Sequence, residues 1–387
     1  MTVYLVGSGT YLPGEPIPFD RIDEVLGPLT EAPREIQRWI ARTATVMSEL
    51  LDIDRVHYAI DPATREFTDD NVTMSVEAAR RALDMAGMEP GEIDLICYGS
   101  AQQQNMPTAS AMIQEALGIE RCEELSVHAN CTSAYKALYL AHRLVASGAN
   151  RTALVVSSSV SSSELVAEYF NQAVVDRESL FLRWFLCDGA GALVVGREPP
   201  RAASVVPELQ VEATYMESIG GKRPSLMFNQ RPYRCVSPLV EHERGLHHLR
   251  QRFRNELSTG LFQEPGGSVF LNGLTRMVRR EGIPLDTVRY FQVNMPTKHI
   301  ISSIMEECEP LGIRRDALYT KLDQLGYCGP PMALICLDHI LRNERLRAGE
   351  RILSFVTEVS KFMQAGYSIL CTASAGEDKR PAERGDD

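Results

Sequence analysis

The alternation of short apolar runs with amphipathic segments limits how this chain can fold more than any other feature. Continuous apolar runs of this length are typical of strands that are buried on both faces. The runs are Met1–Gly7, Ile93–Tyr98, Ala153–Ser157, Ala190–Val195 and Ile352–Val356. The pattern predicts an α/β protein in which helices are layered on a sheet.

Two of the intervening segments have apolar residues at helical spacing and stop at a glycine. Ser75–Ala86 ends at Gly87, and Ala134–Ala146 is followed by Gly148. Glycine adopts the left-handed conformation that commonly terminates a helix, so both segments are predicted to be helical. Residues 25–70 and 215–250 are polar or irregular, and we expect them to be excursions that carry substrate loops.

A four-residue motif occurs twice at equivalent places in the chain. Asn105–Thr108 and Asn294–Thr297 both read Asn-Met-Pro-Thr, and each stands between an apolar run and a helical segment. A repeat in the same structural context predicts an internal duplication.

Composition limits the classes of binding partner and the cellular compartments that we expect for this chain. The net charge of -11 argues against a surface for duplex nucleic acid, which needs a basic face. No apolar run approaches the roughly 18–20 residues that span a bilayer, and the N-terminus lacks the features of a signal peptide. The nine cysteines contain no CxxC pair, so we expect reduced thiols and no metal site. We predict a cytoplasmic protein that binds neither nucleic acid nor membrane.

Cys131 is the candidate nucleophile. It lies between a short extended stretch and the predicted helix Ala134–Ala146, where unpaired N–H groups and the helix dipole favour a thiolate. A buried structural cysteine is the alternative. The dipole alone predicts a thiol pKa roughly one unit below about 8.5, with alkylation that rises through about pH 7–8.

Four stretches resemble the β-ketoacyl-acyl-carrier-protein synthase III (KAS III) family, in the family's order. They are GSGTYLPG near the N-terminus, HANCTSAYKALYLAHRLVASGANRTALVVSSS around Cys131, DGAGA at 188–192 and LDQLGYCGPPMALICLD at 322–338. The resemblance spans residue 3 to about 372. It implies a thiolase fold, with two duplicated βαβαβ-type halves in a layered αβαβα core. The halves would be residues 1–200 and 201–375, and residues 376–387 would form a disordered tail.

The resemblance also implies an activity. Cys131 would accept an acyl group from a CoA or acyl-carrier-protein thioester and pass it to a second substrate, in polyketide or other specialised metabolism. The enzyme would be a homodimer that needs no cofactor. A non-catalytic or half-active subunit that pairs with an active thiolase-fold paralogue is the alternative.

The chain departs from the family at both partners of the nucleophile. Asn294 stands where the family has a histidine, and Tyr327 stands where it has an asparagine. In the family these residues donate hydrogen bonds to the thioester carbonyl, and Asn294 and Tyr327 can both donate. Donors alone suffice for carbon–carbon bond formation after decarboxylation.

An alcohol or amine acceptor requires a proton acceptor, and the sequence leaves that choice open. His128 is the nearest basic candidate, while Glu358 and Lys361 are weaker ones. His299 lies five residues after Asn294, and we expect it to face solvent or a phosphate.

The last expectations concern the oxyanion hole and the substrate's path. Backbone N–H groups of Cys131 and Ser360 would form the hole, although the family's glycines are absent from the second loop. Trp39 matches the family's tryptophan that stacks on the CoA adenine, and Arg42 lies near it. A tryptophan that covers the protein core is the alternative. Met106 matches a position that caps the partner subunit's acyl pocket.

Overall fold

A computed structural model describes residues 1–102, 106–175, 177–201, 207–228, 252–253 and 260–374. Its helices are α1 Ile22–Leu26, α2 Arg34–Leu51, α3 Asn71–Ala86, α4 Ala109–Leu117, α5 Ser133–Ser147, α6 Leu182–Phe185, α7 Val269–Glu281, α8 Lys298–Cys308, α9 Leu322–Leu325 and α10 Met332–Asn343. Its strands are β1 Tyr4–Tyr11, β2 Ile17–Pro18, β3 Arg55–Val56, β4 Leu95–Ser100, β5 Glu123–His128, β6 Thr152–Val160, β7 Asp188–Gly196, β8 Glu208–Ser218, β9 Met227–Phe228, β10 Arg252–Phe253, β11 Gln263–Glu264, β12 Gly267–Ser268, β13 Val288–Val293, β14 Leu318–Tyr319, β15 Arg351–Glu358 and β16 Met363–Ala373.

Ten strands form one sheet in the order β14-β13-β15-β16-β8-β1-β7-β6-β4-β5. On one side of the sheet the strands follow in the order β1, β7, β6, β4, β5. The pairs β1–β7 and β7–β6 are antiparallel, and the pairs β6–β4 and β4–β5 are parallel. On the other side the order is β8, β16, β15, β13, β14. Here too the first two pairs, β8–β16 and β16–β15, are antiparallel, and the last two, β15–β13 and β13–β14, are parallel. The fold is thus the duplicated α/β architecture that the sequence predicted. The boundary at residue 200 stays a prediction, and residues 376–387 lie outside the described part.

The repeated Asn-Met-Pro-Thr motif has the same structural role in both halves. Thr108 is the N-cap of α4 and accepts a hydrogen bond from Ala111 N at 3.4 Å. Thr297 is the N-cap of α8 and accepts from Ile300 N at 3.3 Å. An N-cap threonine satisfies a backbone N–H that has no partner within the helix. Asn105 itself lies outside the described residues.

Two helices lie between the halves and carry the site. Helix α5 contacts β4 and β6 of the first half and β8 and β16 of the second. Helix α10 contacts β1 and β7, and its Ala333 carbonyl accepts a hydrogen bond from Tyr367 of β16 at 3.0 Å. Helix α5 begins two residues after Cys131, and α10 begins five residues after Tyr327. Their packing brings these two residues to one place.

The prediction for residues 25–70 was incomplete, because this region contains the 18-residue helix α2. Ile36, Met47 and Leu51 form its buried side, and its remaining surface is largely polar. The mixture of exposed charge and spaced apolar residues on α2 was the helical signal. Along the described chain, no helix combines the length and apolar character needed to cross a membrane.

Candidate active site

A cavity of about 540 Å³ opens between α2, α8 and loops of both halves. Aromatic side chains contribute much of its wall, namely Phe181, Phe185, Phe262 and Phe270. Among the described residues that line it, there is no lysine or arginine. A cavity of this size with an apolar wall and a few polar groups is typical of a small-molecule site.

Cys131 lines this cavity just before helix α5 begins. The chain leaves the edge strand β5 at His128, and Thr132 is the N-cap position of α5. Ser133 N donates to Asn130 O at 2.9 Å, which closes a turn around the cysteine. The predicted position of Cys131, at the start of a helix, is therefore confirmed, and its role as the nucleophile stays a prediction.

Tyr327 meets Cys131 across the cavity. Its hydroxyl donates a hydrogen bond to the Cys131 sulfur at 3.8 Å, and its side chain is 3% exposed. The backbone is anchored because Cys187 N donates to Tyr327 O at 3.1 Å. Gly326 has φ of 65°, and a Cβ there would lie 2.8 Å from the Cys187 sulfur, so this position needs glycine.

The surroundings of Cys131 hold its sulfur as a thiol. Burial, followed by the charge of Glu358, raises the pKa of Cys131 to about 12, against an opposing effect of the Tyr327 hydroxyl. The residue keeps partial exposure toward the cavity, yet protein atoms surround its sulfur closely enough for burial to dominate. The expected lowering of this pKa was wrong, because the helix dipole was considered without the burial and the nearby carboxylate.

Glu358 is the carboxylate in question, and it lies at the N-terminus of α5. Its Oε2 accepts from Thr132 N at 2.9 Å and from Thr132 Oγ1 at 2.5 Å. The Ser360 hydroxyl donates to the other carboxylate oxygen. Glu358 is 2% exposed and does not line the cavity, although its neighbours Thr357 and Val359 do. Its contacts are those of a helix cap, which differs from the expected role as a weaker candidate base.

Asn294 lies directly behind the cavity wall. It follows the last residue of β13 and is 1% exposed, while the next residue, Met295, lines the cavity. Its Nδ2 donates to Gly329 O at 3.5 Å, and its Oδ1 has no hydrogen-bond partner in the described structure. Cys131 and Tyr327 are thus in contact, whereas the donor role of Asn294 stays a prediction.

The loop that follows Glu358 is held by backbone pairing. Val359 O accepts from Leu226 N at 3.1 Å, and Phe362 O accepts from Ile219 N at 3.1 Å. Phe362 is fully buried and has a positive φ of 53°, in a place where the family has glycines nearby. The oxyanion hole of Cys131 and Ser360 N–H groups remains a prediction.

Comparison with known proteins agrees with this geometry. The family model for 3-oxoacyl-[acyl-carrier-protein] synthase III matches residues 125–210. The β-ketoacyl-[acyl-carrier-protein] synthase III of Clostridium perfringens (strain SM101) is 24% identical over 354 residues, which cover 90% of this chain and 93% of the relative. The enzyme of the same name from Neisseria meningitidis (strain FAM18) is 33% identical over 192 residues, about half of each chain.

Solved structures share the fold. The tetronic acid condensing enzyme AbyA1 has a TM-score of 0.72 at 19% identity, covering 95% of this chain and 99% of that one. The 3-oxoacyl-(acyl carrier protein) synthase III of Pseudomonas aeruginosa has a TM-score of 0.70 at 17% identity, covering 96% and 99%. Cerulenin-bound OleA of Xanthomonas campestris has 0.71 at 17% identity, covering 96% and 97%. The chain is similar to the KAS III family in sequence and has the thiolase fold of these solved structures.

Neither of the two histidines considered in the sequence, His128 and His299, makes a hydrogen bond to the thiol in the described structure. His128 is exposed on the edge strand β5, with its Nε2 3.1 Å from Ala101 O, and it does not line the cavity. The structure therefore does not support it as the base. His299 is exposed and lines the cavity, but it lies in the first turn of α8. Its solvent exposure was predicted, but the further prediction that His299 lies one or more turns into the helix was wrong, because the helix begins at Lys298.

The ring of Trp39 packs against other side chains of the protein. Its ring centroid lies 5.4 Å from that of Phe181 and 5.5 Å from that of Trp184, and Arg177 lies over its face at 5.7 Å. Trp39 does not line the cavity, and Arg42 is exposed with its Nε donating to Arg38 O. Their predicted roles in binding CoA are therefore not apparent in the cavity itself.

Other side chains of α2 reach the cavity, and sequence reasoning missed them. Met47, Leu50 and Leu51 line it, and Leu50 remains 40% exposed. Met106 is 97% exposed, and its role at a partner's acyl pocket stays a prediction. Within the described ranges, no three His, Cys, Asp or Glu side chains are grouped so as to hold a metal ion.

Proposed function

We propose that this protein takes an acyl group from a CoA or acyl-carrier-protein thioester onto Cys131 and passes it to a second substrate. The observation that carries the proposal is the position of Cys131 in a large apolar cavity, with the Tyr327 hydroxyl directed at its sulfur. The place in polyketide or other specialised metabolism comes from the altered partners Asn294 and Tyr327. No cofactor is required by this chemistry.

The first step is an exchange of thioesters. The Cys131 sulfur attacks the thioester carbonyl carbon, and the bond from that carbon to the donor's sulfur breaks. The proton of the Cys131 thiol leaves with the departing thiol, so the step is balanced without an outside base. Backbone N–H groups of Cys131 and Ser360 would stabilise the negative oxygen that forms on the way.

The cavity wall favours an apolar acyl group. Phenylalanine, leucine, isoleucine and methionine side chains surround Cys131, and burying an aliphatic chain among them is favourable by about 25 cal/mol per Å². We therefore infer that the acyl donor carries an aliphatic or aromatic chain rather than a charged one.

A carbon acceptor fits the thiol's surroundings better than an alcohol or amine. His299 and Glu307 line the cavity and can accept a proton, but both lie on α8, and the structure shows no hydrogen bond from either to Cys131 or Tyr327. The described side chain that does contact the sulfur is a donor. A carbanion formed by decarboxylation needs donors of this kind and no separate base.

Loading of Cys131 tests the proposal directly. Incubation with a panel of acyl-CoA and acyl-carrier-protein thioesters, followed by intact-mass measurement, should show one acyl adduct, which peptide mapping places on Cys131. Cys131→Ala should lose the adduct and turnover, while Cys122→Ala, which removes a half-buried thiol elsewhere, should keep both. Full transfer by Cys131→Ala would exclude the proposal. The absence of an adduct from every donor would favour a subunit that serves an active paralogue.

The proposed enzyme is a homodimer in which Met106 of one chain reaches the other chain's acyl pocket. The 97% exposure of Met106 within a single chain is compatible with such a role. Light scattering on the purified protein would give its mass in solution. A monomer of about 43 kDa that loads acyl groups normally would remove this part of the proposal.

A further inference from the structure

A buried carboxylate occupies the helix N-terminus next to the nucleophile. In the described structure, Glu358 accepts both hydrogen bonds that Thr132 offers, from its backbone N–H and its hydroxyl. Three hydrogen-bond donors surround the carboxylate once the Ser360 hydroxyl is included. The N-terminus of a helix is the place where a negative charge is stabilised.

Cys131 and Glu358 depend on the same stabilising groups. Thr132, which Glu358 holds, follows Cys131 directly, and its N–H is one of the first unpaired donors of α5. Once that N–H is bonded to the carboxylate, it is no longer available to a thiolate. Two negative charges at one helix end would also repel each other, which disfavours ionisation of the thiol.

We propose that Glu358 is a positioning residue for the nucleophile: it fixes Thr132, and with it Cys131, and its negative charge keeps Cys131 at rest as a thiol. This inference rests on the proposed function and deepens it, since it concerns the protonation state of Cys131 before the acyl donor binds. A resting thiol resists alkylation and oxidation, because the thiolate is the reactive form.

Among the described residues, the other charged and titratable groups around this pair do not supply a competing cation to the sulfur. Lys136, one turn into α5, interacts electrostatically with Glu358, and burial lowers the pKa of Lys136. The Lys136 Nζ donates to the Met363 sulfur at 3.1 Å. Tyr327 contacts Cys131 as a neutral hydroxyl, since burial raises its pKa well above the ordinary value. Tyr135 likewise stays neutral, because burial raises its pKa, and its hydroxyl is bonded to Ser354.

The test measures alkylation of Cys131 by iodoacetamide across pH, a readout that needs no acyl substrate. In the wild type, alkylation should be slow at neutral pH and still rising above about pH 9, beyond the ordinary thiol range near 8.5. Glu358→Gln keeps the shape and removes the charge. Its alkylation at pH 8 should be at least about tenfold faster, which corresponds to one pKa unit.

One further variant separates the charge of Glu358 from the loss of a negative charge in general. Glu212→Gln neutralises a partly buried carboxylate elsewhere, which pairs with Arg351, and should leave the rate unchanged. Unfolding curves for each variant establish that the fold persists.

Several results would overturn the inference. Fast, pH-independent alkylation of the wild type near pH 6–7 would do so without any variant, even if Glu358→Gln failed to fold. An unchanged or slower alkylation rate in folded Glu358→Gln would show that the charge of Glu358 does not suppress ionisation of the Cys131 thiol. Equal acceleration in Glu212→Gln would assign the effect to the protein's net charge and not to Glu358. Because acyl loading is measured separately, loss of the proposed function would remain distinguishable from these outcomes.

Discussion

The hydroxyl of Tyr327 donates a hydrogen bond to the sulfur of Cys131 over 3.8 Å, although the two residues are 196 positions apart in the chain. Cys131 enters the cavity from the start of α5 and Tyr327 from the loop before α10. A tyrosine is longer than the asparagine that the family has there, which allows its donor to reach the sulfur directly. The change of residue therefore alters the nucleophile's environment as well as that of the substrate carbonyl.

Tyr327→Phe should make Cys131 harder to ionise. The Tyr327 hydroxyl lowers the pKa of the Cys131 thiol, so its removal raises that pKa further. A hydrogen bond to a charged group contributes about 1.5–3 kcal/mol, and because this one is long we expect the low end, a roughly tenfold slower alkylation at fixed pH. Tyr290→Phe, which removes a hydroxyl bonded to Arg345 O far from the cavity, is the matched control. Equal alkylation rates in the two variants would contradict the assigned contact.

Asn294→Ala should separate loading from transfer. If the Asn294 amide acts as a donor after acylation, the variant loads Cys131 normally and transfers the acyl group about 100–1,000-fold more slowly. Intact mass measures loading, and product formation measures transfer. Asn343→Ala removes an exposed asparagine that bonds only to its own helix among the described contacts, and it should change neither rate. A parallel fall in loading and transfer would assign Asn294 a structural role, in keeping with its burial.

Ser303→Trp should shorten the range of acyl chains that the protein accepts. Ser303 is exposed on α8 yet lines the cavity, so a tryptophan there fills space without replacing a core residue. We expect acylation by a dodecanoyl donor to slow by about tenfold or more relative to an acetyl donor, in the range typical of steric discrimination in a pocket. Glu306→Trp places the same side chain on the exposed side of α8 and should discriminate little. An equal loss with both donors would show that Ser303 lies on the common path and not beside the acyl chain.

His142 should make the protein less stable in mild acid. It lies on α5, its Nδ1 is 2.8 Å from the Thr214 hydroxyl of β8, and burial followed by Arg143 lowers its pKa to about 4. A histidine in the unfolded chain has a pKa near 6.5. Between about pH 6.5 and pH 4, His142 therefore binds a proton in the unfolded chain but not in the native protein. Stability is therefore present above about pH 6.5 and is lost as the pH falls toward 4, by on the order of 3 kcal/mol.

Urea unfolding at pH 7.5 and pH 4.5 measures this loss. His142→Gln retains a polar partner for Thr214 and cannot titrate, so its stability should fall less between the two pH values than that of the wild type. Other groups titrate in both proteins and cancel in the comparison. An identical fall in both would show that His142 does not couple to folding.

Local patterns were enough to predict the elements that form the scaffold. The predicted strand Ile352–Val356 lies within β15, and the predicted helix Ala134–Ala146 lies within α5, which ends at Gly148 in the left-handed conformation. These succeed because a strand's apolar run and a helix's glycine stop depend on residues within a few positions. Helix α2 was missed although its apolar residues have helical spacing, because the charged residues between them made the segment look polar throughout.

The sequence by itself determined the layered α/β architecture, the duplication and the place of Cys131, since each depends on periodicity, repetition or the order of motifs. Only the tertiary structure decided how reactive that cysteine is. Glu358 and Thr132 are 226 positions apart in the chain, and no pattern in the sequence predicts their hydrogen bond. The burial of Asn294 and the absence of His128 from the cavity wall were likewise decided by packing. The reason is physical: a thiol's pKa reflects solvation and charges within a few ångströms, and which groups come that close is set by the fold.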